Sequence, residues 1–282
     1  MSQLKSRNSL DHVTSIRKYV EAIFTAKDLH VLVVEGVAGW GKTTAVEEAL
    51  AQAGIESLHL GSYSTPLNFY NFLAENPSSV VIADDCAGLL GDAGAMAILK
   101  AATWPSRGGQ RFVHWGSTSK KAVVPKFEFT GKLIIVCNSF PKTADGDAIR
   151  SRGFSKSIDI NVKEAADLLR SAANDAKYFE DGERAKMAAE FLIAHLSEES
   201  LPQISFRTLI KGYRLAESHP EDWRELFGGI LPEAKSEPRE LVLELAKQGL
   251  KVKDQLKIFE QRTGFSERSF YLYRKDAKIS RG

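Results

Sequence analysis

Residues 31–44, VLVVEGVAGWGKTT, decide the fold. Val31 to Val34 form an unbroken apolar run, the pattern of a strand buried on both faces of a parallel sheet. Gly36-Val37-Ala38-Gly39-Trp40-Gly41-Lys42-Thr43 follows at once and fits G-x-x-x-x-G-K-S/T, and Thr44 continues into a helical stretch. The chemistry explains each residue type. Glycines let the backbone wrap closely round phosphates, so that its N–H groups and the start of the next helix face an anion. Lys42 brings a point charge to the β- and γ-phosphates, and the Thr43 hydroxyl suits Mg²⁺. A surface glycine turn can match this pattern by chance. Here a strand precedes it and a helix follows, which is the context that nucleotide binding requires.

Outward from this loop, apolar segments alternate with helical stretches: IESLHL (55–60), SVVIAD (79–84), KLIIVCN (132–138) and SIDINV (157–162). Such alternation predicts an α/β fold, a parallel sheet with helices on both faces. Two of these segments end in polar residues fit for phosphate chemistry. Asp84 at the tip of the third strand suits Mg²⁺, held through a water, and Asp85 suits activation of an attacking water. The plain alternative is that these carboxylates cap the next helix. Asn138 could reach a γ-phosphate and the same water, or simply form the turn before Ser139-Phe140-Pro141.

The rest of the chain divides by pattern. Residues 1–28 read as an N-terminal helix and linker, 29–162 as the phosphate-loop core and 163–232 as helices only. LPEAKSEPRE (231–240), with two prolines and mixed charge, reads as a linker into a small all-helical unit over 233–282.

Phosphate loop, acidic strand, sensor Asn and Asp147–Phe154 before the last strand occur in the order of the AAA+ branch of P-loop ATPases, which the chain resembles over roughly residues 10–230. The resemblance implies ATP and Mg²⁺ as ligands, a helical lid over 163–232, and a homo-oligomer, ring or hexamer, with the nucleotide between subunits. It implies that Arg152, or Arg150 beside it, reaches the neighbour's nucleotide, where a guanidinium is worth ~10³–10⁵ in rate. The alternative is a solvated surface arginine. Gln203–Leu209 resembles the start of the lid helix that carries a second sensor, which makes Arg207 a contact to the γ-phosphate of its own subunit. Asp-Asp stands where Asp-Glu is usual, a departure similar to superfamily 3 viral helicases.

Residues 93–127 carry Lys100, Arg107, Arg111, Lys120, Lys121 and Lys126 and no acid, and RFVHWGSTSKKAVVPKFEF alternates as a β-hairpin does. By the same resemblance this insert grips nucleic acid in a central pore, with His114 or Trp115 stacking on bases and Arg111, Lys120 and Lys121 on phosphates. A solvated basic loop is the alternative. Gly61–Thr65 is a second pore candidate. From Lys247 onward ten cations face four acids, a net +6 in a chain whose formal charge is +2. The pattern there reads as helix, Gly264 turn, Ser266 cap and helix, similar to helix-turn-helix DNA-binding segments. In that likeness Glu267, Arg268, Ser269 and Tyr271 reach bases while Arg274 and Lys275 hold phosphates. A basic helical pair docking on another protein is the alternative.

Composition bounds the rest. Hydrophobic residues make up 43% and charged residues 26% of 282, values of an ordinary globular protein. No run reaches the ~18 apolar residues of a membrane span. The polar start MSQLKSRNSLDHVTSIRKYV lacks a signal core, and Cys86 and Cys137 offer neither zinc spacing nor a disulfide framework. A cytoplasmic location is expected. The combined features are similar to those of phage and plasmid replication ATPases, a helicase or a helicase loader with a replicative helicase or other replication protein as partner. An ATP-regulated DNA-binding regulator and an ATP-dependent protein remodeller are the rival readings.

Overall fold

Branched apolar residues fill three strands almost without interruption, and such strands need cover on both faces. The structure, a computed structural model, describes residues 11–61, 64–105, 108–116, 122–231, 238–248, 250–263 and 267–276. The first half runs α1 (Asp11–Thr25), β1 (Val31–Gly36), α2 (Lys42–Gln52), β2 (Ser57–Leu60), α3 (Pro66–Glu75), β3 (Val80–Asp84), α4 (Ala87–Leu90) and α5 (Ala93–Thr103). Then come β4 (Phe112–His114), β5 (Lys126–Glu128), β6 (Lys132–Cys137), α6 (Ala144–Arg150) and β7 (Gly153–Ile158).

Five strands form one parallel sheet in the order β2-β3-β6-β1-β7. Successive side chains of a strand point to opposite faces, and the core divides accordingly. Leu32, Val34, Ile82, Ile134 and Val136 meet Ile16, Val20 and Ile23 of α1 and Val46 and Leu50 of α2. Val31, Val33, Val81, Leu133 and Ile135 meet Phe69 and Leu73 of α3, Met96 and Leu99 of α5, and Ile149 of α6. Helix α1 is therefore part of the core layer. Because β6 lies between β1 and β3, Val136 is level with Val34 on one side and with Asp84 on the other. That register brings the ends of three strands to one edge of the sheet, where open α/β sheets bind ligands.

The last strand is four residues earlier than SIDINV suggests. β7 is GFSKSI, at the edge of the sheet beside β1, with Lys156 and Ser157 outside the core. An edge strand covered on one side shows no continuous apolar run, so the sequence pattern misplaces it. The residues that follow start the next helix: Asn161 and Glu164 exchange side-chain and backbone hydrogen bonds in a capping box.

The lid is all helical, with α7 (Val162–Ala173), α8 (Gly182–Ile193), a 3₁₀ turn at Leu201–Gln203, α9 (Phe206–Ser218) and α10 (Trp223–Ile230). Its own core holds Leu168, Leu169, Leu192, Leu209, Tyr213, Trp223 and Phe227. The C-terminal unit comprises α11 (Pro238–Lys247), α12 (Val252–Thr263) and α13 (Glu267–Asp276), closed on Leu241, Val242, Leu245, Phe259 and Phe270. Gly264, Phe265 and Ser266, the expected turn and cap, lie outside the described residues. No helix among the described residues is long and apolar enough to cross a membrane.

Candidate nucleotide site

A cleft of about 830 Å³ opens where β1, β3 and β6 end, and the lid forms its far wall. Ala38 to Thr44, Asp84, Asp85, Asn138 and Arg207 all line it. The loop has positive φ at three glycines, Gly36, Gly39 and Gly41, and at the first two a Cβ would also clash. Gly36 has φ 150°, and a Cβ there would come within 2.4 Å of the Ile158 carbonyl oxygen. Gly39 has φ 80°, and a Cβ there would meet Ser205 at 2.6 Å.

Lys42 turns back over the loop. Its Nζ donates to the carbonyls of Gly36 (2.7 Å) and Val37 (2.9 Å) and stands 3.5 Å from Asn138 Oδ1. Burial holds the ammonium below the usual lysine range; Arg207 pushes the same way, and Asp84 and Asp85 oppose it. Thr43 Oγ1 donates to Asp84 Oδ2 over 2.9 Å, which joins the first turn of α2 to the tip of β3. A hydroxyl and a carboxylate so placed form a hard-oxygen pair fit for Mg²⁺.

Asp85 is the one non-glycine residue with positive φ, 51°, among the described residues. Aspartate tolerates that region better than most residues, at a cost on the order of 1–3 kcal/mol. Its N–H donates to the Val136 carbonyl and its side chain is exposed to the cleft. Neither acid caps a helix: Cys86 is the residue before α4, and Asp92 caps α5. Asn138 is exposed beside Lys42, directly past β6. Arg207 is exposed in the first turn of α9, on the lid side of the cleft. Burial pushes the Cys137 thiol up to about 12 and raises the Cys86 thiol as well, so both remain protonated and are poor nucleophiles.

The two arginines near β7 differ. Arg150 donates to Glu35 on β1 (3.3 Å) and to the carbonyls of Phe140 and Pro141 (3.1 Å each), while Glu35 also accepts from the Phe140 N–H. Arg150 is thus a strut between β1 and the segment after β6 within its own chain. Arg152 does not line the cleft. It donates to the Lys100 carbonyl (2.7 Å) and covers the ring of Trp104, which is 58% exposed.

The basic insert does contain an antiparallel pair, β4 and β5, with Val113 opposite Phe127. Arg111 departs from its expected place on nucleic acid. It is 5% exposed and donates to the carbonyls of Ala102 (2.7 Å) and Gly131 (2.8 Å), and burial lowers its pKa to about 10. Trp115 packs against Tyr70, whereas His114 is exposed. Lys120 and Lys121 lie outside the described residues, as do Arg107 and part of Gly61–Thr65. In the C-terminal unit Glu267, Tyr271 and Lys275 are exposed at four-residue spacing, one face of α13. Arg274 points the other way. It is buried and donates to Gln255 Oε1 over 2.6 Å, so it holds α13 to α12 rather than reaching a phosphate. The Arg268 side chain lies outside the described residues.

Three features have no counterpart in the sequence reading. Val13, Leu168, Ala172, Tyr178 and Ile210 give the cleft an apolar side, brought together from α1 and the lid. Glu48 on α2 pairs with Lys177 beyond α7. Trp40, read as an ordinary loop member, buries its indole in the lid core. Their partners are far apart in sequence, so no local pattern announces them.

No protein-family model matches the sequence, and no curated protein sequence matches it. Solved structures do show similarity. A proline-to-glycine variant of Thermotoga maritima RuvB is 13% identical, with a TM-score of 0.52 over 99% of this chain and 91% of its own. The Aeropyrum pernix ORC2 protein, in ADPNP and ADP complexes, is 13% identical over 98% and 86% at a TM-score of 0.44. A DNA replication initiation factor is 13% identical over 99% and 83% at 0.45. The RuvB likeness is one of fold: a five-stranded parallel sheet with helices on both faces and a helical lid beside the cleft at its edge.

Proposed function

We propose that this chain hydrolyses ATP with Mg²⁺ and uses the cycle to act on DNA, as a helicase or helicase loader in the replication of a phage or mobile element. The observation that carries the reading is the Thr43–Asp84 bond of 2.9 Å beside a glycine cradle that leaves no room for a Cβ. The residues present fit both ligands. Gly36 to Thr44 would hold the phosphates, with Thr43 and Asp84 on the metal. Bound there, Mg²⁺ would neutralise charge on the phosphate oxygens. Lys42 would exchange its loop carbonyls for phosphate oxygens. Asp85 and Asn138 would orient the attacking water, with Asp85 accepting its proton. Arg207 would add positive charge from the lid, and Arg152 of one subunit would serve the next subunit in a homo-oligomer, a ring or hexamer.

DNA is the proposed substrate of the motor, and a replicative helicase or other replication protein its partner, in the cytoplasm. The hairpin with Lys120 and Lys121 would track the backbone without reading sequence. In the helix-turn-helix reading of α12 and α13, Arg268 and Tyr271 would reach bases and Lys275 a phosphate. A second reading, a sequence-specific regulator without motor activity, is favoured by the Glu267–Tyr271–Lys275 face of α13. ATPase rates with no nucleic acid, single-stranded DNA and duplex DNA, followed by a strand-separation assay, test the proposal. Stimulation by DNA with strand separation, or with delivery of a helicase, supports the motor or loader. ATPase indifferent to DNA and stimulated by protein would favour a remodeller and defeat the proposal.

A further inference from the structure

The phosphate loop and the lid share a residue. Trp40 belongs by backbone to the loop that would hold the phosphates, yet its side chain is 1% exposed and sits in the lid core with Leu168, Leu209 and Phe227. Its indole meets the Phe206 ring edge-on at 5.2 Å between centroids. Around it the backbones also join. The Phe206 N–H donates to the Gly39 carbonyl over 3.1 Å, and a Cβ on Gly41 would touch the Phe206 ring at 3.4 Å. Phe206 is the first residue of α9, and the next is Arg207, which faces the cleft. A buried indole removes on the order of 200 Å² from water, so the loop and the start of α9 separate only at high cost.

We propose that Trp40 is a positioning residue: seated in the lid, it fixes the first turn of α9 against the phosphate loop and thereby sets where Arg207 enters the cleft. The proposal rests on the ATPase reading of this site. Arg207 is on a solvent-facing turn and has a long side chain, so it needs such an anchor to present its charge in one place. With the anchor, loop and lid move as one body. Without it, Arg207 keeps its charge but loses its address.

The test is a double-mutant cycle on turnover, because a residue that acts only through Arg207 adds nothing once Arg207 is gone. Trp40→Ala and Arg207→Ala should each lower kcat about tenfold or more, with ATP affinity changed less than about threefold. The double variant should be no slower than Arg207→Ala alone. Trp40→Phe keeps a ring against Phe206 and should restore most of the turnover lost in Trp40→Ala. Losses that multiply in the double variant overturn the proposal, as does a Trp40→Ala defect confined to ATP affinity with kcat kept. Should Trp40→Ala fail to fold by circular dichroism, Phe206→Leu replaces it in the same cycle with the same outcomes. A Lys42→Ala control separates the two levels. Turnover that survives it removes the ATP site and this role together. An inactive Lys42→Ala with multiplying losses removes the positioning role alone.

Discussion

Thr43 Oγ1 donates to Asp84 Oδ2 across 2.9 Å, which ties the residue after Lys42 to the tip of β3, two places from β1 in the sheet. Asp84→Asn keeps an oxygen for that hydroxyl and removes the charge a divalent cation needs. The variant should fold, require more Mg²⁺ for half-maximal ATPase, and turn over about 10²-fold more slowly. A Mg²⁺ titration of the ATPase rate checks this. An unchanged half-maximal concentration would take the metal role from Asp84.

Lys42 is held by loop carbonyls in a buried place, and burial lowers its pKa from the ordinary 10.5. A basic group with a lowered folded pKa penalises folding while it is protonated in both states. The penalty fades as pH rises from the folded pKa toward 10.5. Without nucleotide, Lys42→Met should therefore melt no lower than the native chain near pH 7. The native chain should gain on it as pH rises toward 10.5. Nucleotide binding should be lost in the same variant. Paired melting curves across pH, with and without ATP, measure both.

The parts of the site that are legible in the sequence are those where burial and chemistry meet within a few residues. VLVVEG, SVVIAD and KLIIVCN have strands buried on both faces, so their apolar runs announce strands, and the phosphate loop that starts at Gly36 and the polar ends Asp84 and Asn138 announce the site. β7 is at an edge and alternates, so its run is broken and the apolar pattern points four residues too late. Arg111 and Arg274 show why charge is a weaker signal than pattern. A sequence reports that an arginine is cationic, but only packing shows that its guanidinium is spent on Ala102 and Gly131 carbonyls or on Gln255. Trp40 escaped for a related reason: its partner Phe206 is more than a hundred residues away and belongs to another layer.

Arg150 and Arg152 should separate in experiment. Arg150→Ala strands the Glu35 carboxylate and the Phe140 and Pro141 carbonyls in a half-buried strut, a loss of about 1–3 kcal/mol in stability. Its effect on turnover should follow that loss. Arg152→Ala should bind ATP normally and hydrolyse little of it. Mixed with Asp85→Asn, it should recover part of the turnover, because an intact water-activating residue in one subunit then meets an intact arginine from the other. A mixture that stays inactive while both variants assemble would remove the role in trans.

On α13 the exposed and buried cations one residue apart should behave oppositely. Lys275 is exposed and Arg274 is bonded to Gln255 inside the unit. Lys275→Ala should weaken DNA binding for all sequences and reduce the slope of log affinity against log salt by about 1, the signature of one lost phosphate contact. Tyr271→Ala should weaken binding with little change in that slope, since a ring meets bases or sugars rather than phosphates. Arg274→Ala should instead lower the melting point of the three-helix unit, with any loss of DNA affinity following the loss of fold. Deleting 236–282 should remove both the affinity and the salt dependence these residues supply. Equal affinity and equal slope after that deletion would leave DNA binding to the basic hairpin alone, with the C-terminal helices free to dock a protein.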